Sequence, residues 1–143
     1  MAETEFHEVM NVNKDRLYST IVNYSEYPDF VEGCRSVKIE QKGDGQIRAT
    51  YHVNVMSQDV IYTLDHSENP QNGQISWQLV ESNFFKKNSG KWLIKEAGPG
   101  KTDVLYQVEV EFKVPVPGFI LNRLVKGSLA GMVKSFEKRA NRG

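Results

Sequence analysis

The chain has 143 residues, no net charge, 39% hydrophobic and 25% charged residues. That is the size and composition of one globular domain able to bury a real core, and it excludes a long disordered or fibrous chain. A neutral balance also removes any argument from bulk charge for a nucleic-acid partner.

The first nine residues, "MAETEFHEV", are acidic and lack the basic start and apolar run of a signal peptide. Alternation in "TEFHEVMNV" (4–12), with Phe6, Met10 and Val12 in one phase, predicts a strand. Asn13 suits a helix N-cap, Asp15 suits the positive end of that helix, and Leu17, Tyr18, Ile21 and Val22 form one apolar face. Proline disfavours the αR region at the residue before it, so the helix should falter before Pro28, with a short second helical turn before Gly33.

From Ser36 the period becomes two. "VKIEQ" is a short strand ended by the turn "KGDG". "IRATYHVNV" places Ile47, Ala49, Tyr51, Val53 and Val55 on one face, and "DVIYTLDH" does the same with Val60, Tyr62 and Leu64. After "NPQNG", "QISWQLVE" offers Ile75, Trp77 and Leu79. "KKNSG" reads as the next turn, before "KWLIKEA". "GPGK" turns the chain into "TDVLYQVEVEFK", with Val104, Tyr106, Val108, Val110 and Phe112 in phase. The pattern is an antiparallel meander with one wet and one dry face.

"VPVPG" stops the sheet, since proline cannot donate to a ladder. Residues 118–140 come next, with helical spacing through Leu121, Leu124, Val125, Leu129, Met132, Val133, Phe136 and Ala140. Such a helix is about 34 Å long and can cover a whole dry sheet face. The class is α+β: strand, two helical segments, six strands, long helix, in one domain. A curved sheet around a long helix leaves a concave, mostly apolar gap as the natural ligand site.

The order resembles the helix-grip fold of START-like and birch-pollen-allergen-like domains. "IVNYSEYPDFVEGCRSVKIEQ" (21–41) is similar to the coenzyme Q-binding START-like branch of the polyketide cyclase/dehydrase superfamily. Tyr27, Pro28 and Phe30 match its tyrosine–proline–x–phenylalanine segment, and Cys34 matches the region that leads into its second strand. That branch includes ribosome-association toxin-like proteins. "VPGFILNRLVKGSLAGMVKSFEKRA" (116–140) resembles the family's last helix. The resemblance implies a seven-stranded curved sheet and a hydrophobic ligand of lipid, isoprenoid or quinone-like kind. Across the superfamily it also allows a cyclase or dehydratase.

The residues assign candidates to each reading. Tyr51, Tyr62, Trp77, Trp92 and Tyr106 lie in the dry phase, combining apolar area with polar tips. They build either a packed aromatic core or a cavity for a ring-bearing ligand. Tyr27, Phe30, Phe119 and Leu124 would line its mouth. For acid–base chemistry the candidates are His66, which continues the dry phase but also reads as a turn residue, and Glu81 and Glu96 at strand ends. His7 and His52 fall in polar phases, and no P-loop, G-x-G-x-x-G or G-x-S-x-G is present, so no metal or cofactor is expected.

Cys34 is the single cysteine, which excludes an internal disulfide and agrees with a reducing cytoplasm. Gly127 and Gly131 share a face of the last helix, where either close approach to the sheet or cavity volume should offset their cost. Residues 115–143 carry six Lys/Arg (Arg123, Lys126, Lys134, Lys138, Arg139, Arg142) against Glu137, +5 balancing −5 elsewhere. That basic face is either solvated or meets a membrane, ribosomal RNA or a protein partner.

Overall fold

A computed structural model describes residues 2–55, 57–113, 115, 117, 118 and 129–142. β1 (Ala2–Met10) leads into α1 (Lys14–Val22) and a 3₁₀ segment (Tyr24–Asp29). Then come β2 (Cys34–Gly43), β3 (Gln46–Val55), β4 (Gln58–Asn69), β5 (Gln74–Ser82), β6 (Phe85–Gly98), β7 (Lys101–Phe112) and α2 (Leu129–Arg142). Ten of the twelve residues before Leu129 lie outside the described residues, so the expected helix is described over its second half only.

The seven strands form one antiparallel sheet in the order β1-β7-β6-β5-β4-β3-β2. Six successive strands make the meander, and β1 returns to pair with β7, Phe6 opposite Tyr106. Several chain reversals use glycine at positive φ, as at Gly45 (φ 71°), which lies so close to β4 that a Cβ would meet Glu68 O at 2.8 Å, while Ser57 (φ 69°) takes that conformation between β3 and β4.

Asn13 caps α1 as expected, its Oδ1 accepting from Arg16 N at 3.1 Å, an interaction worth about 1 kcal/mol. Leu17 and Ile21 on the buried face join Phe136, Val133 and Ala140 of α2 and the dry face of the sheet in one core. α1 ends at Val22, and Pro28 sits inside the adjoining 3₁₀ segment. α2 is tied at its far end to the β1–α1 connection, where Asn11 N donates to Glu137 Oε2 and Asn141 Nδ2 donates to Asn11 O, both at 2.9 Å. Gly131 is exposed, so it faces away from the sheet and marks neither close approach nor cavity. Gly127 lies outside the described residues.

Three departures from the expected strands matter for the site. β4 runs to Asn69, which puts His66 in mid-strand opposite Trp77 rather than in a turn. β5 carries a bulge at Val80: Leu79 pairs with Leu64, but Glu81 pairs with Thr63. One extra residue reverses the face of everything after it, so Glu81 leaves the dry phase. β6 starts at Phe85, not Lys91, so "KKNSG" is strand. The actual turn is at Ser82, whose Oγ accepts from the amides of Phe84 and Phe85 at 2.9 and 3.0 Å.

Candidate functional site

The concave face of the sheet is closed at one end and half-open at the other. At the closed end Phe136 of α2 is edge-on to Tyr27 (5.2 Å), Phe30 (5.1 Å) and Trp92 (5.1 Å). Trp92, Ile94, Val104 and Val133 are buried there. At the other end Tyr62, Leu79, Phe85, Phe112 and Met132 are only half-buried. Tyr51, Trp77 and Tyr106 lie between, all buried. Tyr51 stacks on Tyr62 at 4.9 Å and Tyr106 sits against both Trp77 (5.6 Å) and Trp92 (4.7 Å). The expected lining residues Tyr27, Phe30, Tyr51, Tyr62, Trp77, Trp92 and Tyr106 therefore meet on one face. Phe119 and Leu124 lie outside the described residues.

The polar tips of these rings differ. Tyr27 Oη donates to Ile21 O at 2.5 Å, which anchors the 3₁₀ segment to α1. Tyr51 Oη shares a 2.7 Å hydrogen bond with His66 Nε2. Among the described residues nothing hydrogen-bonds to the hydroxyl of Tyr62 or Tyr106. Burial raises both phenols above their ordinary range, and the neighbouring Tyr62 raises Tyr106 further, so both hydroxyls keep their protons at neutral pH.

His66 is 5% exposed. Its ring stacks on Tyr24 at 4.4 Å, and Tyr24 Oη donates to Glu68 Oε2 at 2.8 Å. Desolvation pushes the imidazole down to about 4, only partly opposed by Asp65, so it is neutral at pH 7. Its Nδ1 is buried without a partner among the described residues, as is the Tyr18 hydroxyl, which burial pushes up to about 12. His66 and Tyr51 thus form the one bonded acid–base pair among the candidates. Glu81 is exposed on the outer face beyond the bulge. Glu96 keeps its phase, opposite Thr102, but lies past the covered part of the sheet and is exposed.

The other histidines sit where their polar phase puts them, His7 at 3.0 Å from Asp103 and His52 at 3.5 Å from Asp59. Among the described residues no group of His, Cys, Asp or Glu converges for a metal. Two grooves lie outside the concave face. One, about 610 Å³, runs between α1 and α2 past Arg16, Glu26 and Arg139. The other, about 870 Å³, crosses the solvent face of the sheet over Ser67, Ser76 and Ser89. Of the basic tail, Arg139 turns inward: it bonds Glu26 at 2.8 Å, approaches Asp29 at 3.7 Å and lies over the Phe30 ring at 5.4 Å. Lys134, Lys138 and Arg142 are exposed. No helix among the described residues is long and apolar enough to cross a membrane.

Asn88 was hidden in the segment read as a turn. It faces Val110 on the concave side, is 8% exposed, and its Oδ1 accepts from Trp77 Nε1 at 3.0 Å. Gly90 makes this contact possible. A Cβ there would lie 2.6 Å from Trp77 Cζ2 and 2.2 Å from Gln107 O, so only glycine lets the indole cross β6. The signal was present in the spacing: Asn88, Gly90, Trp92 and Ile94 keep period two through the supposed turn.

Comparison with known proteins agrees with this architecture. The family described as "Polyketide cyclase / dehydrase and lipid transport" matches residues 10–137. The chain is 25% identical over 126 residues to the ribosome association toxin RatA of Escherichia coli K12, covering 88% of this chain and 78% of that protein. Among the solved structures that share the fold are two. One is the Zhui aromatase/cyclase of Streptomyces sp. R1128, with TM-score 0.87 and 15% identity over 99% of this chain and 94% of that one. The other is a START superfamily protein of Mycobacterium smegmatis, with TM-score 0.84 and 22% identity over 98% and 97%.

Proposed function

The chain belongs to the polyketide cyclase/dehydrase and lipid transport family, and from that premise we propose that it binds a hydrophobic small molecule, of lipid, isoprenoid or quinone-like kind, on the concave face of its sheet. One observation carries the reading. Tyr62 at the half-open end and Tyr106 in the middle present protonated hydroxyls, unpartnered among the described residues, on a face otherwise built mostly from apolar and aromatic side chains. A core selected for packing alone gains nothing from such groups, and neither hydroxyl is sealed from solvent, so both remain able to bond an incoming molecule. An apolar ligand with one or two polar atoms can take the place of that solvent. Organic extraction of the purified protein followed by mass spectrometry tests the proposal: a stoichiometric apolar compound is expected. An empty protein that also ignores added quinones and lipids would sink it.

The His66–Tyr51 pair favours a second reading, a cyclase or dehydratase that folds a flexible chain against the aromatic wall. A neutral imidazole bonded to a phenol at 2.7 Å offers a substrate a polar hydrogen-bonding pair, although burial, which lowers the imidazole and raises the phenol, opposes full proton transfer between them. Incubation with a linear poly-ketone thioester should then give a cyclised product that His66→Phe abolishes. No product from the wild-type protein would remove this reading and leave the first intact.

A further inference from the structure

We propose that Asn88 is the polar anchor of this site and that it selects a ligand carrying an uncharged oxygen acceptor, such as a ketone, over both a plain hydrocarbon and a carboxylate. The inference rests on the hydrophobic-ligand reading above and gives that ligand its chemistry.

The orientation of Asn88 is set by its neighbour. An indole N–H can only donate, so the amide atom 3.0 Å from Trp77 Nε1 is the oxygen. The NH₂ group must therefore point away from Trp77. Neither of its two N–H donors has a partner among the described residues. The residue is nonetheless 8% exposed and faces the dry side, opposite Val110. The nitrogen is not sealed from solvent, so an asparagine held by its oxygen offers its N–H groups to whatever occupies this face. Trp77 acts as a positioning residue, since its N–H fixes which end of the amide faces the ligand.

The charge of the ligand is set by the groups around it. No buried position on the inner face of β3 to β7 carries a Lys or Arg among the described residues, and Lys86, two residues before Asn88 at the irregular start of β6, is exposed. The charged residues in that phase are acidic, Glu68 at the Tyr24 end and Glu96 at the rim. His66, the one basic group among them, is neutral at pH 7. Among the described residues no buried cation lies on this face to balance a carboxylate, which makes its entry unfavourable in a dry site. A carbonyl oxygen needs only a donor, which Asn88 Nδ2 supplies, and the protonated hydroxyls of Tyr62 and Tyr106 stand on the same face.

Three probes of one shape test this: acetophenone, ethylbenzene and benzoate, titrated into ¹⁵N-labelled, organic-extracted full-length protein and followed by NMR. Acetophenone should bind about tenfold more tightly than ethylbenzene, the size of one good hydrogen bond. It should also move the Asn88 side-chain NH₂ resonances, which ethylbenzene leaves in place, and benzoate should bind no better than ethylbenzene. Asn88→Asp keeps an acceptor for Trp77 and loses the donors, so it should erase the ketone preference while ethylbenzene still binds. If that variant does not fold, the amide shifts of the wild-type protein decide alone. Equal binding of ketone and hydrocarbon, or tightest binding of benzoate, overturns the inference and leaves a hydrophobic site standing. If none of the three binds, the hydrophobic-ligand reading falls and the inference falls with it.

Discussion

At the scale of single residues, His66 links burial to acid sensitivity. Its folded pKa of about 4 lies below the ordinary 6.5. Between these values the unfolded chain binds a proton that the folded chain refuses, so stability should fall as pH drops through this window and level off below it. The shift corresponds to roughly 3 kcal/mol. Urea unfolding midpoints measured from pH 7 to pH 4 should show this slope, and His66→Phe, which keeps the stack on Tyr24, should flatten it. An unchanged slope in the variant would assign acid sensitivity elsewhere. Gly90 is the second decisive residue. Gly90→Ala pushes a methyl into Trp77 and the β7 backbone, so it should destabilise by about 1–3 kcal/mol, the range for overpacking. A thermal melt within error of wild type would contradict the close approach.

At the scale of elements, the 3₁₀ segment and α2 form a clasp over the closed end. Arg139 holds Glu26 and Asp29 and covers Phe30, while Phe136 wedges between Tyr27, Phe30 and Trp92. Phe136→Ala should cost about 3–5 kcal/mol, as large aromatic truncations in a core do. Arg139→Ala should cost about 1 kcal/mol, and Lys should restore only part of it, because an ammonium lacks the planar stack on Phe30. Chemical denaturation of the three variants checks the order. Most of the elements were legible in the sequence. Alternation gave the strands, Asn13 gave the start of α1, and the tyrosine–proline segment gave the 3₁₀ break, because local pattern governs each. What the sequence concealed was register. The bulge at Val80 moved Glu81 to the outside, and turn-like composition at "KKNSG" hid Asn88. Both depend on which residue of a neighbouring strand lies opposite, and no single segment contains that information. The aromatic wall was legible by phase alone, but not which hydroxyls stay unpartnered.

At the scale of the whole molecule, the core under α2 is tightly packed while Tyr62, Leu79, Phe85 and Phe112 at the other end are only half-buried, so a ligand there would cover side chains that are still partly exposed. Binding to the folded state alone stabilises by about 2.7 kcal/mol at a hundredfold excess over Kd, a shift of several degrees in Tm for a chain of this size. Removing a co-purified ligand by organic extraction should lower the melting temperature by that amount, and adding it back should restore it. A melting temperature indifferent to extraction would argue that the face is a finished core. The placement of the chain's two tryptophans has an optical consequence. Trp77 and Trp92 are 7% and 4% exposed, both on the concave face, one hydrogen-bonded to Asn88 and one against Phe136. The protein therefore carries its own unlabelled reporters, Trp92 at the closed end and Trp77 in the middle of the face, bonded to Asn88. Emission from Trp77 will answer to whatever occupies the half-open end, emission from Trp92 to loosening of the clasp, and single-tryptophan variants will tell filling from opening in a cuvette.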